Sequence, residues 1–291
     1  MKIANPIYDV VFKYMMDDKK IAKLLISKII GQEVIDIDFQ PQESTVKVKA
    51  PEFKESFTVF RLDFAATIQV APNEYKQVII EIQKAKLPTD ILRFRKYLAS
   101  QYASDHQSFP IISIYFLGHT LEHTDSAIIK VARTYQDVST GQSIAKKEVF
   151  IESLTHDSYV IQIPYLEGKR RNELEVLLSI FDQSQKESNH ILYIQEEDYP
   201  QEYGIVIRKL QKAMSDKEVE NAMDIEDEVI QVLGDKERQI ADLRNKVSEK
   251  DQELNKKNEV LNEKDKELNE KNQQLSAKDQ EIERLRKLLG K

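Results

Sequence analysis

Asp63, Glu81 and Gln83 are the residues whose types and spacing could do chemistry. Seventeen residues separate the two carboxylates, and a turn-like Ala71-Pro72-Asn73-Glu74 lies between them. A hairpin folded at that turn lets Asp63 and Glu81 converge at one end of a sheet. Glu81 and Gln83 stand two apart on one strand, so they share a face, with the main-chain carbonyl of Ile82 between them. Carboxylates, a carbonyl and waters are the hard oxygen ligands that Mg²⁺ takes, with Mn²⁺ as a substitute. A cation so held can lower the pKa of a bound water for in-line attack on a phosphodiester and stabilise the charge that develops.

The surrounding pattern supplies elements that can hold these residues in place. Apolar residues recur at helical spacing over 7–16 and again over 21–30, where Gly31 ends the run, so two helices joined near Asp17-Asp18 are expected. Segments 33–39 and 44–48 alternate apolar and polar residues, and 57–70 is rich in β-branched and aromatic residues, which predicts strands. The run Val78-Ile79-Ile80-Glu81-Ile82 is apolar enough for a central, buried strand. Leu87-Pro88-Thr89-Asp90 has the composition of a helix entry, and a helix over 91–104 is followed by a strand over Ile111–Leu117, closed by Gly118. Strands near 126–134 and 158–163, a helix over 173–181, and a helical, charged remainder from about 200 complete the reading.

Composition narrows the chemistry. The chain has no cysteine, which excludes disulfides, thiolate zinc sites and a cysteine nucleophile. His119 and His123 are four apart but have no third ligand and no firm helix beneath them, so a zinc site is not expected either. No stretch reaches the ~20 apolar residues of a bilayer span and the first residues lack a secretion signal, so the expectation is a cytoplasmic protein with no membrane partner. The net charge of −7 is uneven. Residues 1–117 carry 16 Lys/Arg against 14 Asp/Glu, residues 118–234 carry 12 against 22, and residues 235–291 carry 15 against 14. Any contact with DNA would therefore be local and salt-sensitive, without the broad basic surplus of a protein that coats DNA.

Asp63, the hairpin and Glu81-Ile82-Gln83 resemble the D…(D/E)xK signature of the PD-(D/E)XK nuclease superfamily. Asp9-Val10-Val11-Phe12-Lys13, the ExQ variant at Glu81–Gln83, and Arg93-Phe94-Arg95-Lys96-Tyr97-Leu98 followed by Ile111–Leu117 resemble one branch, the recombination-promoting nucleases of the transposase family. The resemblance covers 1–120 closely and extends more loosely to about 235. It implies an α/β, restriction-endonuclease-like mixed sheet flanked by helices, and a Mg²⁺-dependent DNA endonuclease linked to recombination or mobile elements. By the same resemblance Asp63 and Glu81 bind the metal, and Asp9 adds a carboxylate from the first helix. Asp9 and Lys13 also stand four apart on that helix, which equally suits a surface ion pair. Glutamine stands where the wider superfamily has lysine; its amide can orient a water or a phosphate but brings no charge. Glutamine is usual in that branch, so the resemblance implies Gln83 as the third catalytic residue. Lys84, which a regular strand turns to the opposite face, is a DNA-backbone contact, with Arg93, Arg95 and Lys96 as further phosphate contacts or as a solvated helix face.

The organisation expected is a nuclease core over 1–120, an extension over 121–235, and a heptad-repeat helix over 236–291. Apolar residues return every seventh position at Ile240, Val247, Leu254, Leu261, Leu268, Leu275, Ile282 and Leu289. The second seam holds mostly lysines in one register and Asp, Asn and Arg in the other, so a homo-oligomer through 240–289 and a solvated single helix both fit. A second functional reading accompanies the nuclease: an interaction protein of little activity that keeps the fold and assembles through this helix.

Overall fold

The computed structural model describes residues 1–39, 47–48, 57–58, 64–84, 86, 90–103 and 109–290; within these elements the side chains at 47, 48, 57, 58, 90, 92, 93, 237, 288 and 289 lie outside the description. Two helices open the chain, as the periodicity predicts. In α1, Asp9–Met16, the residues Val11, Phe12, Met15 and Met16 fall on one buried face. The next helix, α2 (Lys19–Ile30), starts where the Asp18 side chain accepts from the Lys20 amide at 2.9 Å, and stops at Gly31, whose φ of 67° places it in the left-handed region.

The hairpin forms where its turn residues stand. Strand β1, Asp36–Phe39, lies antiparallel to β2, Phe64–Ala71, which turns through Pro72 and Asn73 into β3, Glu74–Gln83. Asn73 has φ 63°, which Asn tolerates better than most side chains because it hydrogen-bonds locally. Helix α3, Asp90–Tyr102, leads to β4, Ile111–Leu117, which runs parallel to β3 from Gln77↔Ile111 to Gln83↔Leu117. The later strands are β5, Ile128–Val131, and β6, His156–Gln162, the latter parallel to β4 and antiparallel to β5. Together they make a six-stranded mixed sheet in the order β1-β2-β3-β4-β6-β5, with β3 and β4 innermost. Residues on both sides of position 120 therefore build one sheet.

Alternation along the strands sorts side chains between two faces. Phe64, Ala66, Ile68 and Val70 of β2, and Val78, Ile80 and Ile82 of β3, join α1, α2 and the later helices in the large core. Each of the larger of these side chains, Phe, Ile or Val, contributes roughly 1.5–3 kcal/mol on burial. Ala65, Ile79 and Ile111 face the other way and pack on Phe94, Tyr97, Leu98 and Tyr115. This smaller cluster is where α3 sits. Tyr97 is thus a packing residue.

After residue 163 the chain adds a short helix Glu173–Leu178, extended by a 3-10 turn to Phe181, then helices α4, Gly204–Met214, and α5, Lys217–Leu289. The N-terminal segment Lys2–Ala4 pairs antiparallel with Ile191–Tyr193. Buried Asn5 fixes this junction: its amide N–H donates to the His190 carbonyl at 2.8 Å, and its side chain donates to Gln183 and to the Asn189 carbonyl. The chain divides into compact units at 1–230 and 231–291. Residues 217–230 of α5 belong to the first; the remainder, with Ile240 to Ile282 exposed at every seventh position, makes the second. No helix among the described residues is long and apolar enough to cross a membrane.

Candidate active site

Glu81 is 1% exposed near the end of an inner strand, a costly place for a carboxylate unless hydrogen bonds or a cation compensate it. By alternation its side chain leaves β3 on the face of Ile79, toward α3, and its partner across the parallel ladder is Tyr115. The Tyr115 hydroxyl is held well above its ordinary value, first by burial and further by the Glu81 charge. Gln83, half-buried, shares this face. Its main-chain carbonyl accepts from the Gly118 amide at 2.7 Å, which ties the end of β3 to the residue just past β4. Asp63 lies outside the described residues. The last described rung of the β2–β3 ladder is Phe64↔Ile80, immediately before Glu81 on one strand and immediately after Asp63 on the other.

Lys84 goes to the opposite face, as the strand period predicts. Its ammonium sits 3.4 Å from the centre of the Tyr8 ring and pairs with Asp227. Asp227 also accepts from the Tyr8 hydroxyl at 2.9 Å and bonds His190 Nε2 at 3.0 Å. Burial pulls the Lys84 ammonium below its usual range despite the carboxylate beside it. Burial opposes ionisation of Asp227, but hydrogen bonds from Lys84, His190 and Tyr8 hold its carboxyl below the ordinary value. The charge of Lys84 is thus committed within the fold.

Comparison with family models, with curated proteins and with solved structures found no match.

Asp9 stands at the start of α1, beside this cluster. Its Oδ2 pairs with Lys13 at 2.6 Å, the i,i+4 ion pair that is one of the two readings open in the sequence, while Oδ1 is buried without a hydrogen bond. The Asp9 amide donates to Glu226 at 3.0 Å. Burial, and then the charge of Asp9, push the Glu226 carboxyl up to about 8. Tyr8, His190, Glu226 and Asp227 were not signalled by sequence, because they meet from segments far apart in the chain. The contacts described for Asp9 lead to Lys13 and Glu226, not to Glu81.

On α3, Arg95 and Lys96 are exposed on either side of the packing residues Phe94 and Tyr97; the side chain of Arg93 is outside the described residues. A cavity of about 730 Å³ opens between α1 and the start of β2, lined by Val10, Lys13, Tyr14, Phe39, Phe64 and Ala65 among others. Among the described residues no three His, Cys, Asp or Glu side chains gather as a metal site. The donors near the end of β3, a Glu81 carboxylate, the Ile82 carbonyl and the Gln83 amide, are all oxygen ligands, which fits a hard cation and not zinc in a thiolate or imidazole site.

Proposed function

We propose that this chain is a metal-dependent DNA endonuclease of the PD-(D/E)XK kind, with a restriction-endonuclease-like core, linked to recombination or mobile-element DNA. The observation that carries the reading is Glu81, a buried carboxylate at the end of an inner strand, with Gln83 on its face and Phe64↔Ile80 as the rung before it. The reading needs Asp63, which lies outside the described residues, to act with Glu81. The mixed sheet, the hairpin and the helix crossing from β3 to parallel β4 support the same reading.

Asp63, Glu81 and the Ile82 carbonyl would hold Mg²⁺, or Mn²⁺ in its place. When bound there, the cation would supply Lewis acidity and a water of lowered pKa. Gln83 orients that water or a phosphate oxygen through its amide. Arg95 and Lys96, with Arg93, meet the DNA backbone from α3, so affinity falls as salt rises. Lys84, tied to Asp227, acts on the strand's position in preference to the phosphates. Asp9, whose described contacts lead to Lys13 and Glu226 on the Lys84 side of β3, is not among the ligands of this reading.

Plasmid nicking with Mg²⁺ tests the proposal. Wild type should nick supercoiled DNA, and folded Asp63→Ala and Glu81→Gln should each lose at least ~10²-fold, the scale of removing one group that stabilises the transition state. Wild type silent with both Mg²⁺ and Mn²⁺, or variants as active as wild type, refutes it. The exposed apolar row of the C-terminal helix favours a second reading, a nuclease-like scaffold that works by assembly. Silence in the nicking assay would put that reading first.

A further inference from the structure

The C-terminal helix carries a periodicity that an isolated helix has no use for. Residues seven apart drift about 20° per repeat around an ideal helix, so a strict seven-residue stripe stays on one line only when helices wind around each other. Ile240, Val247, Leu254, Leu261, Leu268, Leu275 and Ile282 hold that stripe, and each is 48–59% exposed. The ends of the stripe decide its register. Leu243 follows Ile240 by three residues and precedes Val247 by four, and Leu285 follows Ile282 by three, so the stripe occupies the a positions and these leucines occupy d. Between the ends, d holds Lys250, Lys257, Lys264, Lys271 and Lys278.

That lysine row selects the geometry of pairing. A parallel, in-register pair stacks a on a and d on d, so each of the five lysines would meet its own copy in the seam. In an antiparallel pair a faces d, and every lysine meets a leucine or valine instead. Aligning Ile240 with Leu285 of the partner subunit also aligns Leu243 with the partner's Ile282, which closes both ends with apolar layers. Between them Leu254 faces the partner's Lys271 and Leu268 faces the partner's Lys257. A lysine stem covers apolar surface while its ammonium reaches outward. The turn opposite Lys257 carries Asp265 and Glu267, and that opposite Lys271 carries Asp251 and Glu253, so charge complements charge at the rim.

We infer that residues 240–285 form an antiparallel coiled coil with a second copy of this chain, in the register that sets Ile240 against Leu285. The inference is independent of the nuclease reading, since it uses neither metal nor DNA.

The chain has no cysteine, so Gln280→Cys in the full-length protein introduces a single thiol at an exposed position for a nitroxide label. In the inferred register Gln280 lies opposite Asn245, and 35 residues at 1.5 Å each put the two labels about 52 Å apart. A parallel pair would bring them within about 25 Å. Sedimentation at micromolar concentration should give a dimer, and pulsed dipolar spectroscopy a distance near 50 Å. A monomer overturns the inference, and so does a dimer with the short distance. A distance longer or shorter by about 10 Å, one heptad of slip, overturns the register.

Discussion

A Cβ on Gly118 would lie 2.4 Å from the Lys84 carbonyl oxygen and 3.0 Å from both the Gln83 carbonyl oxygen and Ile7 Cδ1. Two of those neighbours are backbone at the end of β3, so rotating a side chain cannot relieve the clash. Carbon and oxygen approach no closer than about 3.3–3.6 Å in ordinary contact, so Gly118→Ala must displace the Lys84 peptide by roughly 1 Å. The displacement also strains the bond from the Gly118 amide to the Gln83 carbonyl. Overpacking costs about 1–3 kcal/mol and the weakened bond about 1 kcal/mol more, so urea unfolding should show a loss of roughly 2–4 kcal/mol. Well below the midpoint the variant remains folded, and there the second readout applies. A shift of ~1 Å in reacting groups costs on the order of 10²-fold in rate, so nicking should fall by that scale if Gln83 and Glu81 act as proposed. A variant within about 0.5 kcal/mol of wild type would refute the argument that Gly118 is required for this close approach. One that is destabilised yet nicks at the wild-type rate would show that the end of β3 does not position the chemistry.

Two further outcomes follow from the cluster around Asp227. Asp227→Ala leaves Lys84 half-buried without its carboxylate and should cost about 2–3 kcal/mol by urea unfolding, with a smaller cost in a Lys84→Met background; an equal cost in both backgrounds would show that the pair is not what the residue serves. Glu226, raised to about 8 in the fold, holds its proton there at pH values where the unfolded chain has lost it, so stability should decline as pH rises from about 4.5 to 8 and level off above. Glu226→Gln keeps an acceptor for the Asp9 amide and removes the charge. It should therefore be more stable than wild type by about 1–3 kcal/mol at pH 8.5 and indistinguishable at pH 4.5, after allowance for solvent screening. The same difference at both pH values would refute the assignment.

What could be read from sequence was what neighbouring residues decide. The Pro72-Asn73 turn, the apolar run that became β3, the helix over α3 and the strand closed by Gly118 are local patterns, and each stands close to where its residues predict it. The predicted strand near 126–134 shortens to Ile128–Val131 because it pairs on one side only, and its last residue is 55% exposed at the sheet edge. The strand period also fixed the faces, sending Glu81 and Gln83 to one side and Lys84 to the other. It could not show what Lys84 meets there, since Asp227 lies 143 residues away and nothing in its surroundings within α5 marks it. Gly118 shows the same division. Its type announces the end of a strand, but the reason only glycine fits is a carbonyl just past the end of a different strand. The heptad tail reverses the pattern, because its repeat specifies a partner surface that the single chain leaves exposed. Sequence therefore says more about that helix than its own fold does, and the lysines at d, which argue against a parallel pair, are what make an antiparallel one specific.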